Sequence, residues 1–239
     1  MTVAAVILSA SAEGALAPTE GQPRLRRLVD IAWSGGAVPI VAVAPDPDGA
    51  VAASLAGAPV TLAEPAPAES GPIGQIVHGL EVAFDLVRET DAALVWPARL
   101  VWVDPETITS LIEAHGVEAS PLLRPTFAGE PGWPVLVPRG RLEALRGIAR
   151  DRMPGDLIDD LITSGVPERR IDTGDPGVTH DADVARSDLP PFRGPAEPPG
   201  GHVHEWGSPA AERNDDAPLE GPGLAPYGQA DAGDPDQPG

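Results

Sequence analysis

Three short apolar runs, Val3–Leu8 (VAAVIL), Val38–Ala44 (VPIVAVA) and Ala92–Trp96 (AALVW), alternate with segments whose apolar residues recur at helical spacing. A continuous apolar run of this length, bounded by turn residues, suits a strand covered on both faces. The intervening segments have the complementary pattern. Leu25, Leu28, Val29 and Ala32 lie on one face of a helix that Gly35 and Gly36 bring to an end. Gly71–Glu89 carries Ile73, Ile76, Val77, Leu80, Phe84 and Leu86 or Val87 on a broad apolar face, and Asp104–His115 directs Ile108, Leu111 and Ile112 inward. Strand–helix alternation of this kind closes into a mostly parallel sheet with helices on both sides. The expected fold is therefore a three-layer, Rossmann-like α/β domain.

The remaining segments carry shorter patterns. Ser9–Pro23 is expected as a loop, Val51–Gly57 as a short helix and Ala58–Leu62 as a third strand. After Glu118, short strands at Leu122–Pro125 and Pro134–Val137 flank an AGEPG turn. Helices at Arg141–Arg150 and Asp156–Ser164 and a strand at Arg169–Asp172 follow. Residues 1–189 are expected to fold. From Pro190 the composition changes: 11 Pro and 9 Gly stand among the last 50 residues, with 9 acids against 2 Arg. Such a segment buries too little apolar surface to offset its chain entropy, so 190–239 is expected to be a disordered acidic tail.

Charge and residue usage exclude several classes of function. The net charge of −20 argues against nucleic acid or an anionic membrane as partner, since both repel such a surface. All 16 basic residues are arginine, so no lysine is available for a phosphate or a Schiff base. The chain has no cysteine, which removes disulfides, thiolate metal sites and cysteine nucleophiles. The apolar start lacks a basic leader, and no window reaches the 18 or more apolar residues of a membrane span. A soluble cytoplasmic protein is expected.

Six stretches, in order, resemble the molybdenum-cofactor nucleotidyltransferases, the guanylyl- and cytidylyltransferases of the MobA/MocA-like group. AAVILSASAEG stands where that family has its glycine-rich nucleotide loop. LRRLVDIAWSGGAVPIVAVAP matches its first helix and second strand, and GPIGQIVHGLEVA its Gly-Pro-opened helix. DAALVWPARLVWVDPETITSLIEA matches the metal-binding strand and the helix after it, RPTFAGEPGWPVLVPR the acceptor turn, and IDTGDPGVTHDADVARSDL the final strand with its paired acids. The resemblance spans roughly residues 1–189 and implies a GT-A-type nucleotidyltransferase domain. In that chemistry a loop of backbone amides and basic side chains holds a nucleoside triphosphate. A Mg²⁺ ion held by acids neutralises it while an acceptor phosphate attacks.

Carried over residue by residue, the resemblance places nucleotide binding at Leu8, Ser9, Ala10, Ser11, Gly14 and Arg24. It places the acceptor at Gly132, Trp133 and Pro134, and the metal at Asp181 and Asp183. The departures all weaken the same chemistry. Ser11 replaces the loop's early glycine, where a side chain crowds the backbone approach to phosphate. The lysine is missing. Arg99 stands at the position of the family's metal-binding aspartate, and a guanidinium cannot ligate Mg²⁺. Asp104 is expected to cap the helix that Pro105 and Glu106 open. Arg99 is expected to pair with Asp181 or Asp183 in place of the ion.

Bland readings stand beside these. Ser9–Pro23 also reads as a plain solvent loop, Trp133 as a packing aromatic, and His78 as a satisfied helix residue. Asp175, Asp181, Asp183 and Asp188 read equally as turn and cap residues, and His202, His204 and Glu205 form at most a loose metal-catching cluster. Three functions remain open. The first is an impaired transferase kept as a binding or regulatory module, with a nucleotide or phosphorylated small molecule as partner and no cofactor. The second is an active, divergent enzyme using Mg²⁺, with Arg24, Arg26 or Arg27 in place of the lysine. The third is an inert domain whose acidic tail recognises a protein.

Overall fold

The computed structural model describes residues 1–195. Its main sheet has eight strands: β1 (Thr2–Leu8), β4 (Ile40–Val43), β5 (Thr61–Ala63), β6 (Thr90–Pro97), β7 (Leu122–Phe127), β8 (Glu130–Pro131), β9 (Val135–Pro138) and β10 (Glu168–Asp172). Their order is β10-β7-β9-β6-β1-β4-β5, with β8 on β7. The β1–β4, β1–β6, β4–β5 and β7–β10 pairings are parallel, whereas β9 runs antiparallel to both β6 and β7. The sheet is thus mostly parallel with one reversed strand inside it, a mixed form of the expected α/β architecture.

Helices cover both faces: α2 (Arg24–Ser34) and α5 (Pro105–Val117) on one, α4 (Gly71–Leu86), α6 (Leu142–Arg146) and α7 (Pro154–Thr163) on the other. Alternation along β1 makes the two cores. Val3, Ala5 and Ile7 enter the α2/α5 layer, while Ala4 and Val6 enter the α4 layer. Small residues let the layers close. A Cβ on Gly79 of α4 would come within 2.5 Å of Val6 Cγ1, so glycine is what lets this helix settle on the central strand.

Several expectations shift. Ser9–Pro23 is not a plain loop: it holds α1 (Ala12–Leu16) and a hairpin of β2 (Pro18–Thr19) and β3 (Gln22–Pro23). Ser11 caps α1 by accepting from the Gly14 amide, and Glu20 and Gly21, both at positive φ, form the hairpin tip. The expected third strand lies at Thr61–Ala63, after the short helix α3 (Ala50–Ser54). The helix expected over Arg141–Arg150 stops at Arg146, where Gly147 caps it. Packing also runs past residue 189, since the Arg193 amide donates to the Gly174 carbonyl at 3.3 Å. The tail from residue 196, with His202, His204 and Glu205, lies outside the described residues.

Far from the strand ends that follow, His115 is buried on α5 with neither ring nitrogen hydrogen-bonded. Burial lowers its pKa from the usual 6.5, against a smaller opposing pull from Asp91. Below about pH 6.5 the unfolded chain takes up a proton that the folded one refuses, so stability falls as pH drops through that window. Chemical denaturation of wild type and His115→Leu between pH 5 and 7.5 is expected to give a shallower acid loss in the variant. Equal slopes would contradict it.

Candidate functional site

The site forms where β1 and β6 end side by side. Their registers run Leu8 against Pro97, and the Ala98 amide donates to the Leu8 carbonyl at 2.8 Å. Pro97 terminates the strand, and a tight turn follows, closed by Leu100 N–H to Pro97 O at 3.1 Å. Buried Trp96 pins that turn by donating its indole N–H to the Leu100 carbonyl. Arg99 sits within the turn, one residue beyond the contact with the β1 loop. Its Nη2 donates to Asp183 Oδ2 at 2.8 Å and, more closely still, to Asp181 Oδ2. The expected pairing is present with both acids.

The acid-bearing segment is itself anchored. Ala182 N–H donates to the Arg99 carbonyl at 2.8 Å, and Trp102 Nε1–H is shared between the Asp181 and Val184 carbonyls at 3.1 and 2.9 Å. Asp183 N–H turns back to Asp181 Oδ1 at 2.9 Å. Trp102 is buried, with the guanidinium carbons of Arg27 and Arg186 at 5.5 and 5.9 Å from its ring centre. Glu20, at the hairpin tip, reaches both arginines, at 2.5 Å for Arg27 and 3.5 Å for Arg186. Hairpin, α2, the β6 exit turn and the C-terminal segment therefore meet around one indole.

Beneath this network lies Asp175, 1% exposed. Its carboxylate accepts from Asp104 N–H, Thr107 Oγ1–H and Gly177 N–H, each at 2.8 Å. Burial pushes the carboxyl above its ordinary range in spite of these three donors. Gly177 is pressed against the Trp102 carbonyl, where a Cβ would lie 2.1 Å from the oxygen. The start of α5 and the 175–184 segment are thereby tied together.

The other expected residues divide. Ser9 Oγ donates to the Ser11 carbonyl, and Ser11 Oγ is taken up by the Gly14 amide, so these hydroxyls satisfy their own loop. Ala10 is exposed. Arg24 opens α2 with its amide on the Ala17 carbonyl and its Nε buried without a partner. Arg26 pairs with Asp30 and Arg27 with Glu20, so neither is free to stand in for a lysine. Gly132 N–H donates to the Pro125 carbonyl and Trp133 N–H to that of Val178, so the acceptor-turn segment, with Pro134, leans on the turn just after Gly177. The Trp133 ring packs partly buried against the α4-side core. Asp104 caps α5, accepting from Glu106 N–H at 3.0 Å, and His78 bonds the Glu64 carbonyl. Both take the bland role.

The divalent ion implied by the resemblance does not fit these residues. Mg²⁺ needs oxygen donors, and both carboxylates that converge here already face the same guanidinium nitrogen. Among the described residues no three His, Cys, Asp or Glu side chains group as a metal site. Trp102 and the Glu20–Arg27–Arg186 contacts went unread in the sequence. Nothing in their spacing marks them: Trp102 meets Arg27 and Arg186 across 75 and 84 residues, and Glu20 reaches Arg186 across 166.

Residues 12–165 match the family described as MobA-like NTP transferase domain. No curated protein sequence matches the chain. Among solved structures, a nucleotidyl transferase from Methanothermobacter thermautotroptrophicus is 17% identical, with a TM-score of 0.57 over 70% of this chain and 85% of that one. Rv0371c from Mycobacterium tuberculosis H37Rv is 21% identical, with a TM-score of 0.55 over 76% and 92%, and it is also known as a complex with manganese. A 4-diphosphocytidyl-2C-methyl-D-erythritol synthase is 17% identical, with a TM-score of 0.57 over 78% and 94%. At these identities the likeness is one of fold.

Proposed function

The chain belongs to the MobA-like NTP transferase domain family, and on that premise we propose that it binds a nucleotide or phosphorylated small molecule at the β1/β6 strand ends without transferring a nucleotidyl group. One observation carries this reading. Where Mg²⁺ would be held, Arg99 presents a guanidinium and draws in Asp181 and Asp183. Transfer of this kind depends on a cation that both neutralises and orients the triphosphate. A guanidinium already shared between two carboxylates leaves the cluster with one net negative charge, and so offers little to a polyphosphate. The self-satisfied Ser9–Gly14 loop and the paired Arg26 and Arg27 weaken transfer further.

An active enzyme acting on an acceptor such as molybdopterin is the competing reading, and it needs a free base to replace the lysine. Arg24, whose Nε lacks a partner, is the arginine that favours it. A pyrophosphate-release assay with GTP, CTP and ATP in Mg²⁺, with and without a phosphorylated acceptor, separates the two. No turnover is expected; Mg²⁺-dependent release would overturn the impaired reading. Absence of measurable binding by any of the three nucleotides or their monophosphates would remove the binding half.

As for setting, no helix among the described residues is long and apolar enough to cross a membrane. With a net charge of −20, the protein is read as avoiding nucleic acid and anionic lipid and as working in the cytoplasm. The tail as a partner-binding segment is a separate idea. Deleting residues 196–239, which leaves the Arg193–Gly174 contact intact, and comparing captured partners would test it, and an unchanged set would remove it.

A further inference from the structure

The family's divalent ion and this chain's residues disagree, and we infer that the Arg99 side chain alone is responsible. It is a resident organic cation that excludes a metal from a pair of acids whose backbone segment is held in place without its help. This deepens the functional reading above and rests on it for the location of the cation.

None of the bonds that anchor the segment bearing the two acids uses the Arg99 guanidinium. Ala182 N–H bonds the Arg99 main-chain carbonyl, which any residue supplies. Trp102 Nε1–H holds the Asp181 and Val184 carbonyls, and Val184 N–H closes the turn onto the Asp181 carbonyl at 3.2 Å. Asp183 N–H orients the Asp181 side chain through Oδ1 and leaves Oδ2 directed at the cation. Removing the guanidinium therefore leaves Asp181 Oδ2 oriented as before and Asp183 on the same anchored backbone, its exposed carboxylate able to turn to another cation, with two negative charges between them.

The guanidinium contributes little to folding. The Arg99 side chain is 63% exposed and that of Asp183 81%, so that ion pair is worth little, and the pair with the less exposed Asp181 still has its cation open to water. The same openness leaves room for the waters that a small divalent ion keeps around it. An aspartate at position 99 would add a third carboxylate from the opposite side and complete a hard oxygen site. The native chain instead satisfies the pair with a cation that cannot dissociate.

The test is Mn²⁺ binding to the full chain, without nucleotide, followed by the loss of the free-ion paramagnetic resonance signal. Wild type is expected to show no site that depends on Asp181 and Asp183. R99D is expected to bind one Mn²⁺ at least about tenfold tighter than wild type, with R99A between them. D181N/D183N in the R99D background should abolish the gain, which separates this site from scattered acids on a chain of −20. Circular dichroism confirms folding, and R99A serves should R99D fail to fold. Wild-type binding that D181N/D183N removes would overturn the inference. So would folded R99D and R99A proteins with no gain. Because no nucleotide is present, this result is independent of whether the native site binds one.

Discussion

Replacing Asp175 with alanine is expected to destabilise the protein by about 3 kcal/mol or more, the largest loss from any single polar substitution near the site. The residue is 1% exposed, and three donors converge on it: the amides of Asp104 and Gly177 and the hydroxyl of Thr107. Alanine leaves all three buried and unpaired, at roughly 1–3 kcal/mol for each group with no route to water. Part of this is offset because the native carboxylate is itself poorly solvated, as its raised pKa shows. Asp175→Asn keeps one acceptor oxygen and should lose about half as much. The pH dependence has a definite sign. With a folded pKa above the unfolded value, the native state holds a proton that the unfolded chain has released. The Asp175 contribution is therefore full below the unfolded pKa and is lost as pH rises through the folded one. Urea titrations of wild type and Asp175→Asn across pH 3.5–7 should show that decline only in wild type, opposite in direction to the acid loss from His115.

Gly177→Ala is expected to be nearly as damaging, at about 3 kcal/mol, through a different cause. The added methyl would lie 2.1 Å from the Trp102 carbonyl oxygen, 2.2 Å from its carbon and 2.6 Å from the Val103 nitrogen. All three are backbone atoms that cannot turn aside, so the segment from Asp175 must move. That movement would loosen the Trp102 indole from the Asp181 and Val184 carbonyls and carry both acids away from Arg99. Urea denaturation reads the stability change, and Trp fluorescence provides a second readout. Unchanged stability would mean that the 175–184 segment is not held as described.

How much of this was legible depended on range in sequence. β1, β4 and β6 follow from short continuous apolar runs buried on both faces, and helices α2, α4 and α5 from apolar residues repeating at 3.6. The hairpin at Pro18–Pro23 was not legible, because Glu20 takes a left-handed conformation usually left to glycine and contributes no apolar pattern. The reversal of β9 between β6 and β7 was hidden too: a four-residue buried strand reads the same in either direction. At the site, Arg99 was readable because Pro97 and Asp104-Pro105-Glu106 bracket it. Its partners lie 82 and 84 residues away, and the resemblance suggested them through the paired acids. Asp175 read as a turn or cap residue, and its side chain does accept from Gly177 N–H. Its burial beneath Trp102 and α5 is a tertiary fact that no local pattern carries.

The central claim is that a fixed guanidinium occupies the place of the metal, so any nucleotide the chain binds is bound without one. Calorimetric titration of the full chain with a nucleoside triphosphate, once in Mg²⁺ and once in EDTA, tests this directly. The account predicts dissociation constants that agree within about twofold. Binding that appears only in Mg²⁺, or tightens more than about tenfold in it, would contradict it.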